Sequence, residues 1–157
     1  MRLTFLAAAA LAFAPLASAT TVNVSFSEDF AEKLTEDYGE REGPRLIEEV
    51  TEDVTRQFEK RGLEVARVDI VIIDAKPNRP TFQQQLDRPG LDGFRSISVG
   101  GMSLEGTAFD EAGNAIGSKS YKFFETDIRD VIGSTTWTDA RRASDRFARR
   151  FAKELAS

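Results

Sequence analysis

The run Glu64-Val65-Ala66-Arg67-Val68-Asp69-Ile70-Val71-Ile72-Ile73-Asp74 restricts this chain more than any other stretch. Successive residues of a strand point to opposite faces, so Ala66, Val68, Ile70 and Ile72 share one face and Arg67 and Asp69 the other. Val71 and Ile73 then make the second face partly apolar as well. A strand apolar on one face and half-apolar on the other belongs inside a sheet, with a neighbour on each side.

The neighbours are legible by the same period. Thr21 to Phe26 alternates, with Val22, Val24 and Phe26 opposite Thr21, Asn23 and Ser25. Arg95 to Asp110 reads as a strand in which Ile97 and Val99 share one parity and Met102 and Leu104 the other. Gly100-Gly101 stands at the phase change and predicts a β-bulge rather than a phosphate loop. Asp110-Glu111-Ala112-Gly113-Asn114 is a turn, and Ala115 to Asp127 returns as a partner strand carrying Tyr121 and Phe123. Ile128 to Thr135 is a loop.

Two helices are clear. From Pro44 to Arg61, Leu46, Ile47, Val50, Val54 and Phe58 form one stripe at about 100° per residue. Pro44 suits the first helical position and Gly62 the C′ position. From Thr136 to Leu155, Ala140, Ala143, Phe147, Phe151 and Leu155 form the buried stripe, entered through a capping box in Thr136-Trp137-Thr138-Asp139. Arg142, Arg146, Arg149, Arg150 and Lys153 gather on its opposite side, either meeting anionic lipid or pairing with acidic residues of the first helix. Between the first strand and the first helix lies an acidic segment, Ser27 to Glu42. There Phe30, Leu34 and Tyr38 recur every four residues and Ser27 is placed to cap a short helix. The order is β-α-β-β-β-α. It predicts an α+β two-layer sandwich, a mostly antiparallel four-stranded sheet with two helices packed on one face.

The first residues carry an export pattern. Arg2 precedes an apolar run from Phe5 to Leu16, and Ala17-Ser18-Ala19 is a small-residue cleavage site. The run is shorter than the ~20 residues of a spanning helix, and Pro15 interrupts it. The reading is a signal peptide over residues 1–19 and a single domain over 20–157, exported to the periplasm. With no Cys near the cleavage site, lipid attachment there is excluded, and no later segment is long and apolar enough to cross a membrane.

Composition narrows the chemistry. The chain has 157 residues, no Cys, no His and a net charge of −5. Thiol nucleophiles, His-based triads, imidazole bases and zinc sites are excluded, and no cofactor is implied. The acidic balance argues against nucleic acid as a partner. Asp110-Glu111-Ala112-Gly113-Asn114 lacks the alternating ligands of a calcium loop, and no carboxylate pair has a catalytic spacing.

Ala75 to Arg95 shows no periodicity. Pro77, Pro80 and Pro89 forbid regular structure through most of it, and loops of this length are often functional. Lys76, Asn78, Arg79, Thr81 and Gln83 supply donors there; Arg41 and Trp137 complete the candidate contact residues. An arginine fork suits a carboxylate or phosphate. The plain alternative is a rigid connection that satisfies its own backbone, with Arg79 paired internally, for example to Glu40 or Glu42, and Trp137 a packing anchor.

The leader, the element order, the long loop after the second strand and a final helix entered through Thr136-Trp137-Thr138-Asp139-Ala140 resemble small exported Gram-negative bacterial proteins of a domain-of-unknown-function type. Tyr38-Gly39-Glu40-Arg41-Glu42 and Pro77-Asn78-Arg79-Pro80-Thr81-Phe82 carry most of that resemblance. It implies a periplasmic location and no particular activity. The chemistry then fits a non-enzymatic binding module whose partner is another envelope protein or an anionic ligand. The competing reading is a small carboxylate-based hydrolase acting on cell-wall or sugar substrates. Two carboxylates about 5–10 Å apart across a cleft would favour the hydrolase, and a flat polar sheet face the binder.

Overall fold

A computed structural model describes residues 19–157, so the leader pattern, Ala19 excepted, lies outside the described residues. Strands β1 (Thr21–Phe26), β2 (Arg67–Lys76), β3 (Gly101–Phe109) and β4 (Ala115–Phe124) form one four-stranded sheet in that order. β2 is interior, as its two-faced apolar pattern requires. The sheet is mixed: β1 pairs with β2 in parallel, and the other two pairs are antiparallel. The parallel pair follows from the helical connection between β1 and β2, which returns the chain to the end where β1 began.

Three rows of side chains on one face build the core. They run Val22–Val68–Ala108–Gly117, Val24–Ile70–Gly106–Lys119 and Phe26–Ile72–Leu104–Tyr121 across the four strands. Helices α2 (Glu42–Lys60) and α4 (Thr138–Leu155) pack over them, side by side. Phe58 and Phe151 meet edge to face between the helices at 5.6 Å. α4 lies so close to β3 that a Cβ on Gly106 would stand 2.8 Å from the Phe147 ring. The opposite face is mostly polar, with rows such as Asn23–Asp69–Thr107–Ser118 and Ser25–Val71–Glu105–Ser120.

Helix ends follow their local chemistry. Helix α1 (Glu28–Lys33) is capped by Ser27, whose Oγ accepts from the Phe30 amide at 3.3 Å. It runs into a π-turn over Leu34–Tyr38, and the two bury Phe30, Leu34 and Tyr38. Gly39, at φ +95°, ends that turn. α2 starts two residues before Pro44, which costs nothing, because the first four amides of a helix have no intrahelical acceptor. At its far end Gly62 adopts φ +59°, and the Gly62 and Leu63 amides donate back to the Glu59 and Phe58 carbonyls at 3.0 and 3.2 Å. That is the double closure of a left-handed C-terminal cap.

Two expectations are corrected. The bulge is not at Gly100-Gly101: it lies in β2, where Ile72 pairs with Leu104 but Asp74 pairs with Ser103, leaving Ile73 as the extra residue. The slip changes the phase of β2 and turns Ala75 into the core. Residues 95–100 run outside the sheet, and the glycine pair answers to crowding instead. A Cβ on Gly100 would stand 2.7 Å from Asn78 Oδ1, and one on Gly101 would strike the Phe123 carbonyl. The second correction is helix α3 (Phe82–Asp87), inside the segment read as irregular. Its signal was present: Thr81 and Gln84 form a reciprocal capping box, with the Gln84 amide donating to Thr81 Oγ1 at 3.3 Å and the Thr81 amide to Gln84 Oε1 at 3.2 Å.

The packing gives a direct test. Ile70→Ala is expected to lower stability by about 2–5 kcal/mol, the range for truncating a buried Ile. Arg67→Ala, on the polar face, should cost far less in the same chemical denaturation. Equal losses would mean that the faces of β2 are reversed.

Candidate contact surface at the strand carboxyl ends

The topology sorts the connections. β1 and β2 both end, and β3 begins, at one end of the sheet, because Lys76 pairs with Gly101 and Gly101 with Phe124. All the long connections lie there: residues 27–41, 77–100 and 125–137, together with the N-termini of α2 and α4. Among the described residues, the other end carries the start of β1, the turns around residues 61–66 and 110–114 and the C-terminus of α4. In sheets with parallel strands the carboxyl ends are the usual place for a ligand crevice. Every candidate residue read from the sequence, Arg41, Lys76, Asn78, Arg79, Thr81, Gln83 and Trp137, is at this end.

They do different things there. Asn78 is fully buried, and every polar atom it has is used. Its amide donates to the Thr136 carbonyl at 2.7 Å, and its carbonyl accepts from the Ser98 amide at 2.8 Å. Its side-chain Oδ1 accepts from the Asp139 amide at 2.8 Å, while Nδ2 donates to the Ser98 carbonyl and to Asp139 Oδ2. Asn78 thus caps α4 from 61 residues away. The local capping box expected around Thr136 is replaced by a Thr138–Thr135 contact and this distant carboxamide. Asp139, buried at the start of α4, also accepts from the Gly100 amide at 3.3 Å and from Arg142 at 2.9 Å.

Arg79 is half-buried and ties three loop carbonyls together, those of Ser134, Gly93 and Phe94, rather than Glu40 or Glu42. Thr81 is buried as the α3 cap. Gln83 is half-buried and donates to Asp87 at 2.9 Å. Trp137 is buried; its indole N–H donates to Glu42 Oε2 at 2.8 Å, and its ring meets Tyr38 edge to face at 5.7 Å. Arg41 and Lys76 alone among the seven are exposed.

The helix α3 stands as a ridge. On one side a cleft of about 700 Å3 is lined by Thr35, Gly39, Arg41, Arg45, Phe82 and Leu86. On the other a cleft of about 310 Å3 is lined by Lys76, Arg79, Arg88, Leu91, Ile97 and Ser98. Tyr38 touches both. α3 is fastened to the π-turn by Gln84 and Arg88, which reach Asp37 at 3.0 and 2.6 Å. From this fastened frame large apolar side chains project: Phe82 is 66% exposed, Leu86 61%, Phe94 90% and Ile132 78%. The sequence did not single these out, because isolated apolar residues in a loop carry no period.

The charged helices resolve otherwise. Arg141 of α4 pairs with Glu49 of α2 at 3.0 Å, and Arg56 of α2 reaches Asp145 of α4 at 3.6 Å. Arg146 and Arg150 stack over the rings of Phe123 and Tyr121 on β4, at 4.4 and 4.8 Å. Asp53 and Asp145, carboxylates that face each other from α2 and α4, are joined by the Arg56 guanidinium.

No family model matches the chain, and no curated protein does. Among solved structures, a minor lipoprotein from Acinetobacter baumannii is similar in outline, with a TM-score of 0.37 and 11% identity over 90% of this chain and 94% of that one. A likeness at that score and identity does not bear on function.

Three tests follow from this geometry. Asn78→Ala removes one of three donors from the buried Asp139 carboxylate and leaves the Asp139 amide without an acceptor, and should cost on the order of 3 kcal/mol. Arg79→Ala and Arg79→Lys should both melt several degrees lower, since an ammonium does not reach three carbonyls in different loops; unchanged melting would show that Arg79 is not a tie. A third test is on pH. Asp92 accepts from the Phe94 and Arg95 amides at 2.7 and 2.8 Å, and these bonds hold its carboxyl below the ordinary value of 3.8. A depressed folded pKa means that the contribution is present above the unfolded value and lost as pH falls through the folded one. The Phe94 and Arg95 amide resonances should therefore titrate with a midpoint below 3.8. A midpoint at or above it would remove the turn from the scheme.

Proposed function

We propose that this chain is an exported periplasmic protein acting as a non-enzymatic binding module, whose α3 end docks another envelope protein. The observation that carries the reading is the set Phe82, Leu86, Phe94 and Ile132, exposed on segments that are otherwise tied down by the α3 capping box, Asn78 and Arg79. Large apolar side chains held out from a rigid frame are what a protein interface uses, because little ordering entropy is lost on contact. Phe82 and Leu86 are four residues apart on α3 and so lie on one side of it, facing the larger cleft with Arg41 and Arg45 at its rim. Export is supported by the leader pattern and by β1 beginning at Thr21, two residues past the small-residue cleavage site.

Photo-crosslinking in the envelope decides this. A photoreactive residue at Phe82 or Phe94 should give one and the same discrete protein adduct, and the same residue at Glu111, on the opposite end, should give none. Equal labelling at all three positions, or no adduct at Phe82 and Phe94, would overturn the docking role.

A further inference from the structure

We infer that the smaller cleft, between α3 and residues 96–98, is a binding site for a carboxylate carried on a small apolar body. This goes beyond the proposed docking role and uses the other side of α3.

Three features point to it. The first is charge. Lys76, Arg79 and Arg88 line the cleft against a single carboxylate, Asp37, in a chain whose net charge is −5. Asp37 is already held by Arg88 and Gln84, and neighbouring Asp74 pairs with Lys33 at 2.8 Å. Lys76 is therefore left, among the described residues, with no carboxylate of its own.

The second is Tyr38. It is 8% exposed, wedged between Phe30 and Trp137, yet it reaches the cleft, and its hydroxyl makes no hydrogen bond among the described residues. Burial, with Asp74 and Asp37 adding, pushes its phenol up to about 12. The proton stays on the oxygen, so the group is a donor without an acceptor. The hydroxyl opens onto the cleft, where a ligand oxygen can accept from it.

The third feature selects the anion. Phosphate sites are usually built on converging backbone amides. Here the Asn78, Ser96 and Ser98 amides are already given to the Thr136, Asp92 and Asn78 carbonyls. Among the side chains, the Lys76 ammonium and the Tyr38 hydroxyl have no partner among the described residues, and Arg79 and Arg88 keep the N–H groups not given to the loop carbonyls and Asp37. Those donors suit a flat two-oxygen acceptor. Pro77, Pro80, Leu91 and Ile97 supply the apolar wall beside them, and about 310 Å3 is at the small end of ligand pockets, the size of a dipeptide.

The test uses residues 20–157, isotope-labelled, with three probes at millimolar concentration. These are acetylated apolar dipeptides with a free C-terminal carboxylate, the same dipeptides as amides, and inorganic phosphate. The carboxylates should shift the amide signals of residues 37–38, 76, 78–79 and 96–98, and the amides and phosphate should not. Lys76→Gln and Tyr38→Phe should each weaken carboxylate binding by about tenfold or more, as for loss of a charge-assisted or buried bond. Lys76→Gln, at an exposed position, should leave the melting temperature unchanged. The proposal is overturned if no carboxylate shifts these signals, if amide or phosphate shifts them equally, or if Lys76→Gln binds as the parent does. The photo-crosslinks at Phe82 and Phe94 do not read this cleft, so either result can fail while the other stands.

Discussion

One carboxamide holds together the end of this protein where the long connections meet. The first turn of α4 brings a free amide and a buried carboxylate, both from Asp139, into the same small space. The amide needs an acceptor and the carboxylate needs donors, and an asparagine side chain offers one of each. Asn78 fills both needs, and its own backbone bonds to Thr136 and Ser98 bind the 125–137 connection and the far part of its own loop to it. Pro77 before it and Pro80 after it restrict the backbone that presents it. The same side chain explains Gly100, since a Cβ there would collide with it.

From that knot outward the frame is a series of single ties. Arg79 gathers the carbonyls of Ser134, Gly93 and Phe94, and Asp37 gathers Gln84 and Arg88. Phe26, Phe30, Tyr38 and Trp137 form a chain of tilted and edge-to-face aromatic contacts that carries the core up to the same end. Polar ties set where the loops stand and the aromatic chain supplies burial, so the apolar tips of Phe82 and Phe94 project from a surface with few soft directions.

Charge is arranged on the same plan. Exposed ion pairs each contribute little, about 0–1 kcal/mol, and the α2–α4 pairs should not be read as the source of stability. Their effect is distribution. Arg141 and Arg56 settle against carboxylates of the facing helix, and Arg146 and Arg150 lie over aromatic rings of β4. With Arg142 and Arg149 paired to Asp139 and Asp145, four of the five basic residues of the α4 stripe have partners, and a chain that is acidic overall keeps a cationic cleft at one end.

The sequence by itself determined the elements whose residues answer only to their own neighbours. The period of β2 made it interior, the stripes of α2 and α4 put one face of each on the sheet, and Gly62 closed α2. The α3 cap, Thr81 with Gln84, was equally local and was legible, though the prolines around it argued for irregular chain. Tertiary structure decided what depends on distant partners. A bulge at Ile73 rather than Gly100 reflects how β2 meets β3, which the period of either strand alone does not contain. Asn78 and Arg79 looked like surface donors because a loop asparagine and a loop arginine have the same local context whether they face solvent or a carbonyl many residues away. Of the residues that polarity and loop length selected, the fold used the buried ones to build its end and left Lys76 and Arg41 outside. It then exposed Phe82, Leu86, Phe94 and Ile132, which isolated apolar residues in loops do not announce.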